Sequence, residues 1–384
     1  MNEASPTVPS GREHGLDALR VFAFLILILY HSGMGYVSSW EWHVKNPETS
    51  SLLQYPMNFV NRWRLPLLFF ISGAGVAFSL GRRTYVQFAR ERLVRLLLPL
   101  VFGMLVIVPP QVYIERLSEG RNYDSYWQFW LTVLEGVPYP KGSLSWHHLW
   151  FVAYVLVYAL ASIPVFRLLR SPAGARWLAG LAEWLENNRG AVYLLNAPNL
   201  AVGLLLGPHW PVTHNLVSDW ANLTGSWLTF LWGFVFASDR RLLDVITRRR
   251  REFLAVGLLL TVVLFGPRPR GAAGTVVSGY YTMAWILTLL GFARVTVTAP
   301  SAALRYANEA VYPFYIFHQT ITVALVALLA PVQAGVALKW MLAASGTFVG
   351  SWLAYEGIRR LGPLRPLVGL RRSSRIRIDS LCQN

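Results

Sequence analysis

The stretch Leu16-Asp17-Ala18-Leu19-Arg20-Val21-Phe22-Ala23-Phe24-Leu25-Ile26-Leu27-Ile28-Leu29-Tyr30-His31 decides how this chain is read. An unbroken apolar run lies between a guanidinium and an imidazole, and the whole segment 16–36 is long enough to cross roughly 30 Å of hydrocarbon at about 1.5 Å per residue. A basic flank followed by an apolar core also describes a secretory signal peptide. No small-residue cleavage site follows it and His31 interrupts its end, so it reads as a retained helix.

Working outward, further apolar runs of spanning length occur near 65–81, 93–110, 148–168, 191–207, 224–238, 252–266, 275–293, 310–330 and 334–356. The fifth run carries Asn196, Pro198 and Asn199, and the seventh is short. The composition agrees with a lipid-facing chain: 54% hydrophobic and 14% charged, against about 25% charged in soluble domains. The 16 Trp and 17 Tyr supply amphipathic rings for two membrane interfaces. The sequence therefore predicts an all-α polytopic membrane protein of about ten transmembrane helices, organised as one integral-membrane domain over 1–384. Residues 1–15 form a short tail, 16–356 the bundle and 357–384 a basic tail.

The net charge of +16 by itself invites a nucleic-acid reading. Its distribution excludes one, because the basic residues cluster between apolar runs and nowhere interleave with aromatics along a groove. They instead report topology, since cytoplasmic loops carry an excess of Lys and Arg. With the amino terminus inside, only Lys45, Arg62, Arg64, Arg116, Arg121, Lys141, Arg268 and Arg270 fall outside, Lys339 lies in the tenth run, and all the others, Arg12 and Arg20 included, fall inside. Both termini are thus predicted to be cytoplasmic. The single Cys, Cys382, permits no internal disulfide and no thiolate metal cluster.

Chemistry is expected where ionisable groups enter the membrane. Eleven helical steps of 100° separate Arg20 from His31, so both lie on one face of the first helix, about 16 Å apart along its axis. His318 falls near the middle of the ninth run, with Tyr312, Tyr315 and Gln319 placed to line the same space. His148 begins the fourth run, beside His147, which reads as interfacial. His209 and His214 lack a third ligand at metal spacing, and no metal site is expected. Arg248 to Arg251 read as a topology anchor facing anionic lipid. No phosphate-binding glycine loop, nucleophile elbow or dinucleotide fingerprint occurs in a suitable context.

Leu16 to Arg20 leading to Tyr30-His31-Ser32 resembles the membrane acyltransferase 3 family, whose first-helix signature is Arg, ten residues, His. Trp42-His43-Val44, Phe69-Phe70-Ile71-Ser72-Gly73, Arg90 to Arg95, His148-Leu149-Trp150-Phe151 and Asn308 to Gln319 extend the likeness, in particular to its glucan-modifying branch. The resemblance implies O-acyl transfer at a bacterial inner membrane, from cytoplasmic acyl-CoA as donor substrate to a hydroxyl of an extracytoplasmic glycan or polysaccharide. The acyl group it implies is succinyl for the branch and acetyl for the wider family, with no permanently bound cofactor. It further implies His31 as catalytic base or acyl relay, Arg20 as its signature partner, and Arg92 and Arg95 on the donor phosphates; His318, by its expected depth, is a further catalytic candidate. Trp42, His43, His148, Trp150, Tyr315 and Gln319 are expected to bind substrate. A carboxylated acyl group would want a further cation near His31, and Arg62 and Arg64 are the candidates within reach. The rival reading is a transporter or flippase for a glycan, lipid-linked sugar or organic acid, which would also place ionisable residues at mid-membrane. No inverted repeat between the halves supports it.

Overall fold

The computed structural model describes residues 13–371. Arg12, Cys382 and the tail beyond Arg371 lie outside the described residues. In chain order the helices are α1 (His14–Met34), α2 (Gln54–Leu80), α3 (Tyr85–Ser118), α4 (Tyr126–Leu134), α5 (Trp150–Ala161), α6 (Ile163–Leu169) and α7 (Pro172–Asn187). They continue as α8 (Ala191–Leu205), α9 (Trp220–Ser238), α10 (Arg240–Arg248), α11 (Arg250–Phe265), α12 (Gly271–Thr296), α13 (Ala302–Leu328) and α14 (Val336–Arg360). Among the described residues there is no strand, only the isolated bridges Val37 to Ser50 and Pro138 to Leu144. Every apolar run expected to span is helical. α1, α2, α3, α12 and α13 are each long and apolar enough to cross a membrane; with the bent pair α5 and α6, which meet at 52°, there are up to six such spans among the described residues.

The helices depart from the apolar runs in several places. α2 begins at Gln54, well before residue 65, and takes in Arg64, whose guanidinium turns inward over the Tyr30 ring. α3 runs on to Ser118 through Pro99, Pro109 and Pro110 by way of two widened turns, Leu93–Leu97 and Gly103–Ile107. In the second of these the Val108 amide bonds back to Gly103 O. Such turns absorb the N–H groups that prolines lack. The carbonyl of Leu105, four residues before Pro109, accepts instead from the Trp130 indole of α4 at 2.8 Å. In α8, Asn199 donates to Gly225 O and Thr229 Oγ1 of α9, which explains how this polar run stays in the bundle. α7, absent from the sequence expectation, is an amphipathic helix that buries Leu178, Ala182 and Leu185 and exposes Trp177 and Trp184.

α1 sits at the centre of the bundle, touching α2, α12, α13 and α14. Near the C-terminal end of α1, Lys339 of α14 is fully buried and held by Glu48 at 2.6 Å and Asn46 at 3.0 Å, so a cation inside the bundle is neutralised by the loop before α2.

The longest contact seam joins α2 to α9, with Gly73 set against the backbone of Phe230 and Gly233 against that of Phe70. Reciprocal glycines let two helix backbones meet, and a Cβ at either would be driven into a carbonyl oxygen. Gly73→Ala is expected to cost about 1–3 kcal/mol through overpacking, read as a lower melting temperature in detergent. Gly75→Ala, whose added methyl would meet only the Arg20 guanidinium at 3.6 Å, should stay near wild type.

Candidate active site

At the end of the bundle where α1 begins, a capping box starts α3. Thr84 Oγ1 accepts from Gln87 N at 3.3 Å, and Gln87 Oε1 accepts from Thr84 N at 3.1 Å. The phased helix then presents Arg92 and Arg95. Glu91 pairs with Arg83 at 3.0 Å and Arg95 at 3.4 Å. Arg92 lies against the Phe88 ring at 4.8 Å with its Nε buried and unpartnered. Arg20 bonds Asn308 at 3.2 Å and pairs with Asp17 at 3.6 Å. Arg20, Arg83 and Arg95 are all near enough to repel Arg92, so this end concentrates four guanidinium groups around Glu91 and Asp17.

At the other end of α1, His31 reaches across to α13. Its Nδ1 lies 2.7 Å from His318 Nε2, and the rings are nearly coplanar, 11° apart with centroids at 5.0 Å, which suits an in-plane N–H···N bond. His318 Nδ1 lies 2.7 Å from Tyr315 O. A carbonyl only accepts, so His318 carries its proton on Nδ1 and offers the Nε2 lone pair to His31 Nδ1–H. The network therefore leaves the lone pair of His31 on Nε2, and His31 lines a cavity of about 1010 Å³. The residues at 315, 318, 319 and 322 share a helical face, which is why one stretch of α13 delivers several groups to one place.

His148 closes the back of the pair, its ring perpendicular to His318 at 5.2 Å. Its Nε2–H donates to Ile316 O at 3.1 Å, and Tyr315 OH donates to His148 O. Beside them Arg64, 2% exposed, stacks over the Tyr30 ring at 3.6 Å. Its Nε and Nη1 have no partner, and no carboxylate among the described residues pairs with it. A buried cation without a counter-charge is costly unless a ligand supplies one.

The cavity walls include Trp42, His43, His148, Trp150, Tyr315 and Gln319, so all the residues expected to bind substrate meet in one place. Trp150 carries His214 stacked on it at 4.1 Å; burial holds the His214 imidazole below its usual range despite Asp219 nearby, keeping it neutral. Gln319 Nε2 lies 3.0 Å from His43 Nε2. His43 Nδ1 bonds Glu115 Oε2, whose other oxygen accepts from Tyr139 OH at 2.5 Å. Burial and the Glu115 carboxylate both push the Tyr139 phenol upward, so it stays a donor. A narrower apolar cavity of about 200 Å³ runs between α1, α13 and α14 from Val21 and Tyr306 to His318, and shares Leu27 and Tyr315 with the larger one.

The family described as an acyltransferase domain matches residues 13–356. The chain belongs to that membrane acyltransferase family. It is similar to glucans biosynthesis protein C of Escherichia coli strain K12 and of Shigella dysenteriae serotype 1, at 25% identity over 175 residues in each case. That alignment covers 43% of this chain and 41% of each relative, so the match spans less than half the length of these curated relatives. No solved structure matches the chain.

In this member of the family the expected residues fall into two groups. His31, His318 and the six cavity residues come together, whereas Arg20, Arg92 and Arg95 stand at the opposite end of α1. Of the two candidate cations, Arg64 enters the cavity; Arg62 instead bonds Ser278 and lines a separate cavity with Asn196 and Asn199. His147 lines the cavity, although its position beside His148 reads as interfacial. Glu115 and Tyr139 have no flag in the sequence, since their partners lie far away along the chain. Glu309, in the first half of α13, pairs with Arg365 at 3.5 Å.

Proposed function

We propose that this acyltransferase is a ten-span inner-membrane enzyme with cytoplasmic termini. In this reading it moves a succinyl group from acyl-CoA to a hydroxyl of an extracytoplasmic glycan. The observation that carries the reading is the oriented pair His31–His318, which presents a free imidazole nitrogen between an aromatic, polar cavity and an apolar passage. The arginine-rich end of α1 to α3 would hold the CoA phosphates, for which guanidinium forks are suited. The apolar cavity beside His318 would take the thioester arm. The aromatic walls at Trp42 and Trp150 suit sugar rings, and the similarity to glucans biosynthesis proteins supports a glucan as acceptor.

The chemistry follows from the proton positions. The acceptor hydroxyl gives its proton to His31 Nε2 as its oxygen attacks the thioester carbonyl. The new C–O bond forms, the C–S bond breaks, and the imidazolium returns the proton to the leaving thiolate. A hydroxyl with a pKa far above neutrality needs such a base, and imidazole is the side chain whose basicity fits. His318 keeps the His31 tautomer fixed and shares the positive charge that develops. Arg64 meets the free carboxylate of a succinyl group, which favours succinyl over acetyl.

The test uses full-length protein in nanodiscs with succinyl-CoA and a glucan, read by the mass gain of the glucan. Arg92→Gln with Arg95→Gln should raise KM for succinyl-CoA by about 10–100-fold, the worth of one charged hydrogen bond lost. Transfer from a succinyl thioester of N-acetylcysteamine, which has no phosphates, should be unchanged. Glucan flux across donor-free liposomes, with no mass gain on donor addition, would overturn the reading in favour of transport.

A further inference from the structure

Three side chains at the rim of the large cavity take no part in the transfer chemistry above. His43 comes from the loop after α1, Glu115 from the last turns of α3, and His147 from the turn before α5. One ligand atom from each, a ring nitrogen of His43 and of His147 and a carboxylate oxygen of Glu115, lies within 4.8 Å of the others. His147 Nε2 is buried with no hydrogen-bond partner. Its backbone sits in the left-handed region at φ 37°, and Ser145 Oγ holds both its Nδ1 at 2.8 Å and its amide at 3.0 Å. A non-glycine residue in that region is held there by its surroundings.

Every member has its remaining polar atom occupied by a dedicated partner. Ser145 holds His147 Nδ1, Gln319 meets His43 Nε2, and Tyr139 donates to Glu115 Oε1. What stays free is His147 Nε2, and what is shared only by a proton is the pair His43 Nδ1 and Glu115 Oε2. Ligating imidazoles and carboxylates are oriented in this way by their outer hydrogen bonds. Two imidazole nitrogens and one carboxylate oxygen are the donor set of three-ligand zinc sites, whereas calcium and magnesium prefer oxygen alone. A cation would take the place of the proton between His43 and Glu115, and small ring rotations would bring the three atoms to bonding distance.

We propose that His43, Glu115 and His147 form a binding site for a divalent transition metal, zinc by ligand chemistry, with its fourth position open to the cavity. Both imidazoles line that cavity, so water or an acceptor hydroxyl would complete the tetrahedron. The three positions are too scattered in sequence for any spacing motif to display them.

The test is metal content and is independent of acyl transfer. Full-length protein carrying a tag without histidines is purified, incubated with zinc, dialysed and assayed by mass spectrometry of the element. The expected result is about one zinc per chain, falling at least ten-fold in His147→Ala and in Glu115→Gln and unchanged in His209→Ala. Loading with cobalt should give the intense visible bands of a four-coordinate ion. His147→Cys should keep the cobalt and add a thiolate charge-transfer band, which covers the case in which the alanine variant fails to fold. Wild-type protein that retains under about a tenth of an equivalent of either ion, or a His147→Ala variant that binds as much as wild type, overturns the proposal.

Discussion

Replacing His31 with alanine should lower acyl transfer by about 10²–10⁴-fold, the range expected for losing a positioned general base, while leaving acyl-CoA binding near wild type. The separation follows from geometry, since His31 lies at the opposite end of α1 from Arg20, Arg92 and Arg95. The neighbour gives a sharper comparison. His318 touches the reaction only through His31 Nδ1–H, which it accepts at 2.7 Å, so it is a positioning residue. His318→Ala should remove that acceptor and cost activity. His318→Gln, whose amide oxygen can still accept from His31, should recover part of it. A purely structural His318 would not distinguish the two variants in kcat once both are shown to be folded. Single-turnover mass spectrometry of the glucan reads the chemical step directly; full transfer by His31→Ala would remove His31 from the mechanism.

Much of this is legible in the sequence itself. The first helix announced itself by its apolar run, and the Arg20 and His31 spacing placed two ionisable groups at opposite depths on one face. His318, isolated in the middle of a spanning run, had to find a partner, and the partner is His31. Trp42 and His43 stand in one segment of the family resemblance, His148 and Trp150 in another, and all four line the same cavity. What was illegible depended on long-range meetings. Glu115 looked like part of an external loop because Pro109 and Pro110 resemble the end of a span, yet the widened turn at Gly103–Ile107 carries the helix past them. Arg64 counted as an outside charge because burial under Tyr30 is invisible to a hydropathy sum. α7 escapes a search for long apolar runs, since its apolar side is only a stripe.

Arg64 also yields the other large expected effect. Arg64→Met should reduce kcat/KM for succinyl-CoA by about 10–100-fold, the worth of one charged hydrogen bond to the acyl carboxylate, and leave acetyl-CoA nearly unaffected. The acyl preference would therefore narrow or invert, which loss of a merely structural residue does not do. Stability supplies the second readout. A buried guanidinium with Nε and Nη1 unpartnered contributes a desolvation cost that the Tyr30 ring offsets only in part. Its replacement by an apolar side chain of similar length should leave the melting temperature unchanged or raise it, so the charge is held for a ligand and not for the fold. Arg64→Lys should fall between, because a point charge attracts the carboxylate without the bidentate fork. If Arg64→Met kept its succinyl preference and lost several degrees of stability, the guanidinium would belong to the packing of α1 against α2, and the acyl carboxylate would have to be read elsewhere in the cavity.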